Sequence, residues 1–484
     1  MVIDYFKKIS SIPRGSGHNT RISNYLVDFA RENNLKYYQD EYENVVIYKD
    51  ATPGYETCSP LILQGHMDMV CEKTGDSDHD FENEGLVLVE NDGFLMAKDT
   101  TLGADDGIAI AYMLDILTND KLIHPPLEML ITTDEEIGME GAKHFDAGVL
   151  KGRHMINLDS EEEGSFVCAC AGGGTAAITC PVKRESFGGE LITIEVNGLK
   201  GGHSGTEIDK NRTNACKLLG RILSYLPVDS YRILDIYGGR KDNVIPNEAV
   251  AKLVVSGQNV DYIDELISEA AVIVTDELLV SEPDLSVSIS YDDPENEDES
   301  YEVIDVDACV RLLHALMYIP NGVQVMSAAI PGMVESSENI GILECGEDNI
   351  KIVVSMRSQK KTYMDYMTGI LKNIADMIGA DFVVSGEYPG YDMSEESDFR
   401  NLMSGVYENI YGKKPEICAI HAGLEIGVLA DKMPGLDIIS IGPETYDIHT
   451  VNERLDLASV DRIKGFLLEA LDKFAKKYAK DTDI

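Results

Sequence analysis

Apolar residues in this chain recur with two different periods. In 20–34 (TRISNYLVDFARENN), Ile22, Tyr25, Leu26 and Phe29 fall at helical spacing with Arg21 and Arg31 outward, which predicts an amphipathic helix. The same reasoning predicts helices at 108–117, 141–149, 211–225, 305–316, 398–411 and 459–479. Short, mainly apolar runs predict buried strands at 44–48 (NVVIY), 60–64 (PLILQ), 127–131, 154–158 and 436–441 (LDIISI). Further strands are expected at 191–196, 249–255, 285–291, 351–355 and 416–420, and Asn91-Asp92-Gly93 predicts a hairpin turn within 87–97.

The alternation of strands and helices holds at both ends of the chain and changes character near Ala171-Gly172-Gly173-Gly174. Between 175 and 385 a weak duplication is legible. Each half has a helix (211–225; 305–316), an Asn-containing turn (Asp242-Asn243-Val244; Glu338-Asn339-Ile340) and a strand, and the acidic run 292–302 reads as a solvated linker between them. The outer segments, 1–171 and 387–484, then form one α/β domain, interrupted by an α+β domain at 172–386 built from two similar halves.

Polar chemistry sits where the apolar runs end. The 127–131 run leads into Thr132-Thr133-Asp134-Glu135-Glu136-Ile137-Gly138; adjacent side chains on an extended chain diverge, so Glu135 and Glu136 are expected to have separate tasks. The 60–64 run delivers His66 and Asp68, two apart and on one face, which suits a histidine ligand tuned by a carboxylate. Asp105 and Asp106 open a helix, and Gly103 and Gly107 leave the backbone free for close approach of an ion; the 154–158 run ends in Asp159. Singly, each has an ordinary explanation as a solvated turn, a helix cap or a strand-end hydrogen bond. Four in one third of the chain predict a carboxylate-rich pocket along one sheet edge. His18 lies in a breaker-rich loop and His203 in Gly201-Gly202-His203-Ser204-Gly205; His421, Glu425 and His449 follow later apolar runs.

Bulk properties narrow the function. The chain has 484 residues and a formal charge of −44, which argues against nucleic acid and anionic membrane as partners. Nine scattered cysteines without a CxxC spacing fit reduced thiols of a cytoplasmic protein. The N-terminal MVIDYFKKISSIPRGSG has no signal-type apolar core, and no run of about 18 apolar residues occurs, so a soluble intracellular protein is expected.

Taken in order, GHMDMV, TLGADDGIA, TTDEEIGMEGA, NLDSEEEG, GGHSG and GPETYDIHT resemble the M20 metallopeptidase family, with HAGLEIG pointing to its bacterial aminoacyl-histidine dipeptidase branch. The resemblance covers nearly the whole chain. It implies a zinc-peptidase-like catalytic domain with a mixed sheet and an inserted lid, and two zinc ions per chain, replaceable by cobalt or manganese. It assigns His66 and Asp159 to one ion, Glu136 and His449 to the other, and Asp105 to a bridge. A cis peptide at Asp105-Asp106 belongs to the same pattern.

By the same resemblance Asp68 backs His66, Glu135 is the general base for a water activated by the metals, and His203 swings in as the lid closes to donate to the oxyanion. Arg357 takes the substrate carboxylate, although Met356 stands where relatives carry an acidic residue. Asn243, Asn339 and His421 are further pocket candidates, and Glu425 is a candidate for the substrate amino group. The expected reaction is hydrolysis of unblocked L-dipeptides, including Xaa-His. Competing expectations are a tripeptidase, carboxypeptidase or N-acyl-amino-acid deacylase of the same family, and a non-catalytic peptide-binding scaffold. A homodimer is allowed but not required, because the second half of the insertion could stand in for a partner subunit.

Overall fold

The computed structural model describes residues 1–292 and 300–479. The chain divides into two compact units, one of 1–170, 391–419 and 424–484, the other of 171–390 and 420–423. The second unit thus takes in a short return segment, 420–423, that nothing in the local pattern signals.

The first unit is built on an eight-stranded mixed sheet. At its centre four strands lie side by side in the order Leu127–Thr132, Leu61–His66, His154–Asn157 and Asp437–Ser440, each neighbouring pair parallel. All six residues of Leu61–His66 and of Leu127–Thr132 are buried, which is why these segments read as mainly apolar rather than alternating. Parallel neighbours bring their C-terminal ends to one edge of a sheet. The helix Ala104–Leu117 is buried on nearly every side and packs against the Leu61–His66 strand, so it too is apolar all round. A four-stranded sheet completes the unit, pairing Arg454–Asp456 with Phe94–Ala97.

The inserted unit contains one continuous sheet of nine strands. Its duplication has a topology that the sequence did not suggest. From the middle outward, one half runs Tyr231–Gly238, Ala249–Val255, Glu190–Asn197 and Ser286–Asp292. The other runs Val334–Cys345, Asn349–Ser358, Gly172–Pro181 and Asp381–Tyr388. Numbered by chain order within each half, both read second, third, first, fourth. The halves are not consecutive, because the first strand of the latter half precedes the whole of the former.

Two expectations are corrected. Glu338-Asn339-Ile340 is not a turn but the middle of the strand Val334–Cys345, paired with Asn349–Ser358. Of the acidic 292–302 run, 293–299 lie outside the described residues, while its ends belong to the strands Ser286–Asp292 and Ser300–Ile304.

Candidate active site

The parallel strands deliver their polar residues together. His66 ends the Leu61–His66 strand, Glu135 and Glu136 follow Leu127–Thr132, Asp159 follows His154–Asn157, and the loop after Asp437–Ser440 carries His449. Asp105 has one carboxylate oxygen toward each histidine: Oδ1 lies 2.9 Å from His66 Nε2 and Oδ2 lies 3.1 Å from His449 Nε2. Asp159 Oδ1 is 3.6 Å from the same His66 nitrogen, and Glu136 Oε1 is 3.0 Å from the same His449 nitrogen. Three overlapping groups have potential ligand atoms within 4.8 Å of one another: Asp105, Glu136 and His449; His66, Asp106 and Asp159; His66, Glu135 and Glu136.

The surroundings fix these side chains. His66 Nδ1 faces Asp68 Oδ1 at 3.3 Å, and both residues are fully buried. The Asp68 carboxylate also accepts the Glu135 N–H at 3.1 Å, the Glu136 N–H at 3.3 Å and the Ser16 hydroxyl at 2.8 Å. One carboxylate therefore orients both the histidine and the acidic turn. Glu135 and Glu136 lie in that turn, not on the strand, with Asp134 in the left-handed region at φ 52°. The Asp105-Asp106 peptide is cis. Asp106 turns inward, accepting the His66 N–H at 3.2 Å, and a Cβ on Gly65 would stand 2.3 Å from its Oδ2.

Two residues here carry no local signal in the sequence. Glu453 accepts the N–H groups of Leu102 (2.7 Å), Gly103 (2.9 Å) and Ala104 (2.7 Å), immediately before Asp105. Arg14 is buried and donates to the carbonyls of Met67 (3.1 Å), Asp68 (3.0 Å) and Gly103. The second corrects the reading of the glycines. The room left at Gly103 and Gly107 is filled by the Arg14 guanidinium, 2.5 Å from where either Cβ would stand, and is not room for an ion.

Glu425 is fully buried at the start of the helix Glu425–Lys432. Its Oε2 accepts from Gln64 Nε2 and Thr132 Oγ1, each at 2.6 Å, while Oε1 has no hydrogen-bond partner among the described residues. Burial pushes this carboxyl up to about 7.

The charge balance tests whether metal ions fit. Asp105, Asp106, Glu135, Glu136 and Asp159 crowd around two imidazoles. Burial, reinforced by neighbouring carboxylates, holds Asp106 and Glu135 well above the usual range and Asp159 at about 6. Hydrogen bonds to Asp105 and Glu136 raise His449 to about 11. Protons on such groups are what a bound cation displaces. The donor set, imidazole and carboxylate without thiolate, suits divalent ions of the zinc, cobalt and manganese kind.

In the inserted unit, His203 pairs with Val244 in a two-residue ladder held by the Asp242–Val244 turn. Its Nδ1 accepts the N–H groups of Gly205 (3.2 Å) and Thr206 (3.1 Å), so the proton of a neutral ring sits on Nε2. Burial and the nearby Arg357 charge lower its pKa, keeping the ring neutral. Arg357 is buried; Nη1 donates to the Tyr388 hydroxyl at 3.0 Å, and Nε has no hydrogen-bond partner among the described residues. His421 Nε2 lies 2.7 Å from Ser337 Oγ, and burial with the Arg357 charge drives its pKa down to about 3.

The Asn339 amide donates to the carbonyls of Val244 (2.9 Å) and Asp242 (3.3 Å), and its oxygen accepts from Asn214 (3.1 Å). It braces the turn that carries Asn243, whose carbonyl accepts the Ser204 N–H at 2.9 Å beside His203.

A sheet edge bearing these histidines and carboxylates defines a class. The family model described as Peptidase family M20/M25/M40 matches residues 62–473, and the chain belongs to that family of peptide hydrolases. Over 477 residues it is 35% identical to the Cytosol non-specific dipeptidase of Escherichia coli (strain K12), covering 98% of this chain and 97% of that protein. The crystal structure of aminoacylhistidine dipeptidase from Vibrio alginolyticus matches with a TM-score of 0.91 and 35% identity, covering 97% of this chain and 96% of that one. The aminopeptidase PepT of Bacillus cereus shares the fold, with a TM-score of 0.57, 15% identity and 98% of each chain covered.

Proposed function

We propose that this peptidase is a di-metal dipeptidase that hydrolyses unblocked L-dipeptides, Xaa-His among them, and that zinc is its native ion. The observation that carries the reading is the Asp105 carboxylate, whose two oxygens each face a different histidine. That supports a bridging role, with His66 and Asp159 on one ion and Glu136 and His449 on the other. When bound, such a pair polarises the scissile carbonyl and acidifies the attacking water.

The chain's own residues do the rest. Glu135 takes the proton from the attacking water and passes it to the nitrogen of the leaving amine, so one carboxylate serves first as base and then as acid. Asp68 keeps the His66 ring and the Glu135-Glu136 backbone in register through its shared contacts. His203 donates its Nε2 proton to the developing oxyanion, a task that its hydrogen-bonded Nδ1 favours. Arg357 pairs with the free carboxylate of the dipeptide, using the guanidinium edge that Tyr388 leaves open. Asn243 and His421 line the pocket, and Asn339 acts through the 242–244 turn. Glu425 takes the substrate ammonium through its unpartnered oxygen. A homodimer is compatible with this reading. Nine unpaired cysteines support a cytoplasmic setting.

The test is hydrolysis of Ala-His, N-acetyl-Ala-His and Ala-Ala-His by the zinc-loaded protein and by its Glu135→Ala variant. Cleavage of Ala-His alone is expected, with kcat about 10²–10⁴-fold lower in the variant and two ions still bound. Turnover of the acetylated compound would instead make the protein a deacylase, and preference for Ala-Ala-His a tripeptidase.

A further inference from the structure

Beside the metal-ligand cluster the first unit holds a cleft of about 390 Å³, and Glu136 belongs to its lining. The rest of its wall is mainly apolar: Met69, Val70, Cys71, Phe81 and Ile137. None of these is needed for the hydrolysis described above. Ile137 stands out because it directly follows the ligand pair Glu135-Glu136 and is 59% exposed. An isoleucine at the tip of an acidic turn gains nothing from water, and an apolar ligand would cover it.

The cleft has supports of its own. Phe81 is held edge-on by His79, with ring centroids 4.7 Å apart. Gly15 bridges to Met69, and a Cβ there would come within 2.6 Å of the Cys71 sulfur, so the glycine lets the thiol form part of the wall. The carboxylates at the cleft are Glu136 and Glu82, with His18 Nε2 3.9 Å from Glu82 Oε1. Arg21 is turned away onto the Glu82 carbonyl and Asn83. With Glu136 engaged by an ion, Glu82 is the anion left at the rim. It favours the ammonium-bearing residue of a dipeptide and disfavours the carboxylate-bearing one.

We infer that this cleft receives the side chain of the N-terminal residue of the dipeptide and selects large apolar side chains there. The inference rests on the dipeptidase reading, because it takes a dipeptide as the occupant. Filling the cleft with Cys71→Phe is expected to lower kcat/KM for Leu-Gly about tenfold more than for Gly-Leu, the usual worth of an apolar pocket contact. Ile137→Ser, at an exposed position that does not threaten folding, should do the same by about threefold. Equal losses on the two substrates, or a larger loss on Gly-Leu, would overturn the assignment.

A second readout does not depend on turnover. In the zinc-loaded Glu135→Ala protein, Leu-Gly should slow alkylation of Cys71 by N-ethylmaleimide, followed by peptide mass mapping, and Gly-Leu should not. Protection by Leu-Gly in a protein whose parent cleaves no dipeptide would leave the cleft assignment standing and remove the dipeptidase reading. Protection by neither peptide would remove the cleft assignment.

Discussion

At Glu338 the protein buries a carboxyl group with neither oxygen hydrogen-bonded among the described residues. It lies on the strand Val334–Cys345, directly across from Met356, and burial alone pushes it from 4.5 up to about 8. Below the unfolded value the group is protonated in both states and costs nothing electrostatic. As pH rises from there toward 8 only the unfolded chain ionises, so folding stability falls throughout that window and then levels off. A shift of this size corresponds to at most roughly 5 kcal/mol. Glu338→Gln keeps the shape and removes the ionisation. It should match the parent near pH 4.5 and raise the thermal midpoint increasingly up to pH 8. A pH-independent difference between the two proteins would mean that the carboxyl finds a charge partner in solution. The neighbouring Asn339 teaches a related lesson about single residues. Its type suggested a turn, yet it lies in mid-strand because its amide satisfies the carbonyls of a different turn, Asp242–Val244.

At the scale of elements, the approach to the Ala104–Leu117 helix shows what a local pattern can and cannot reveal. The strand ends that deliver His66, Glu135, Glu136 and Asp159 were legible, because an apolar run followed by acid is a short-range signal set by one strand's burial. The helix 398–411 and the strands 249–255 and 416–420 were read with the bounds they have, for the same reason. Glu453 was not legible. It holds three N–H groups from some 350 residues away, and a lone glutamate in a loop looks like any solvated acid. Arg14 was missed likewise, and its guanidinium explains the glycines that were read as room for an ion. The interleaved halves of the inserted unit were hidden because strand order is a property of pairing, not of any one segment. Glu453→Ala leaves those three backbone donors without their acceptor, at about 1–3 kcal/mol each where they stay dry. The expected outcome is a lower unfolding midpoint together with weaker zinc binding in a competition titration, because Asp105 follows directly on the released segment. Glu453→Gln, which keeps one acceptor oxygen, should restore part of both.

At the scale of the whole molecule, the formal charge of −44 and the carboxylates gathered at one sheet edge act in the same direction. Most of the acid is solvated and screened beyond about 10 Å at ordinary salt, so it raises solubility without weakening the fold much. The cluster at Asp105, Glu136 and Asp159 is different, because it lies where water does not screen it well and its positive partners are two imidazoles. A pair of divalent ions relieves that repulsion only in the folded chain, since the ligands come from segments far apart in sequence. Ion binding therefore appears as folding stability, about 4 kcal/mol for a site held at a thousand times its dissociation constant. Chelation should lower the thermal midpoint, more strongly at low ionic strength, and added zinc should restore it along with activity. The Asp105→Asn variant should start from a lower metal-free midpoint than the parent, since the two histidines hold this carboxyl below its ordinary range and their shared anionic partner is gone, and gain less from zinc. If chelation abolished activity and left both midpoints unmoved, the carboxylates would have to take up protons as readily as they release the metal. Proton uptake on chelation, followed with a pH indicator in weak buffer, would then record that exchange directly.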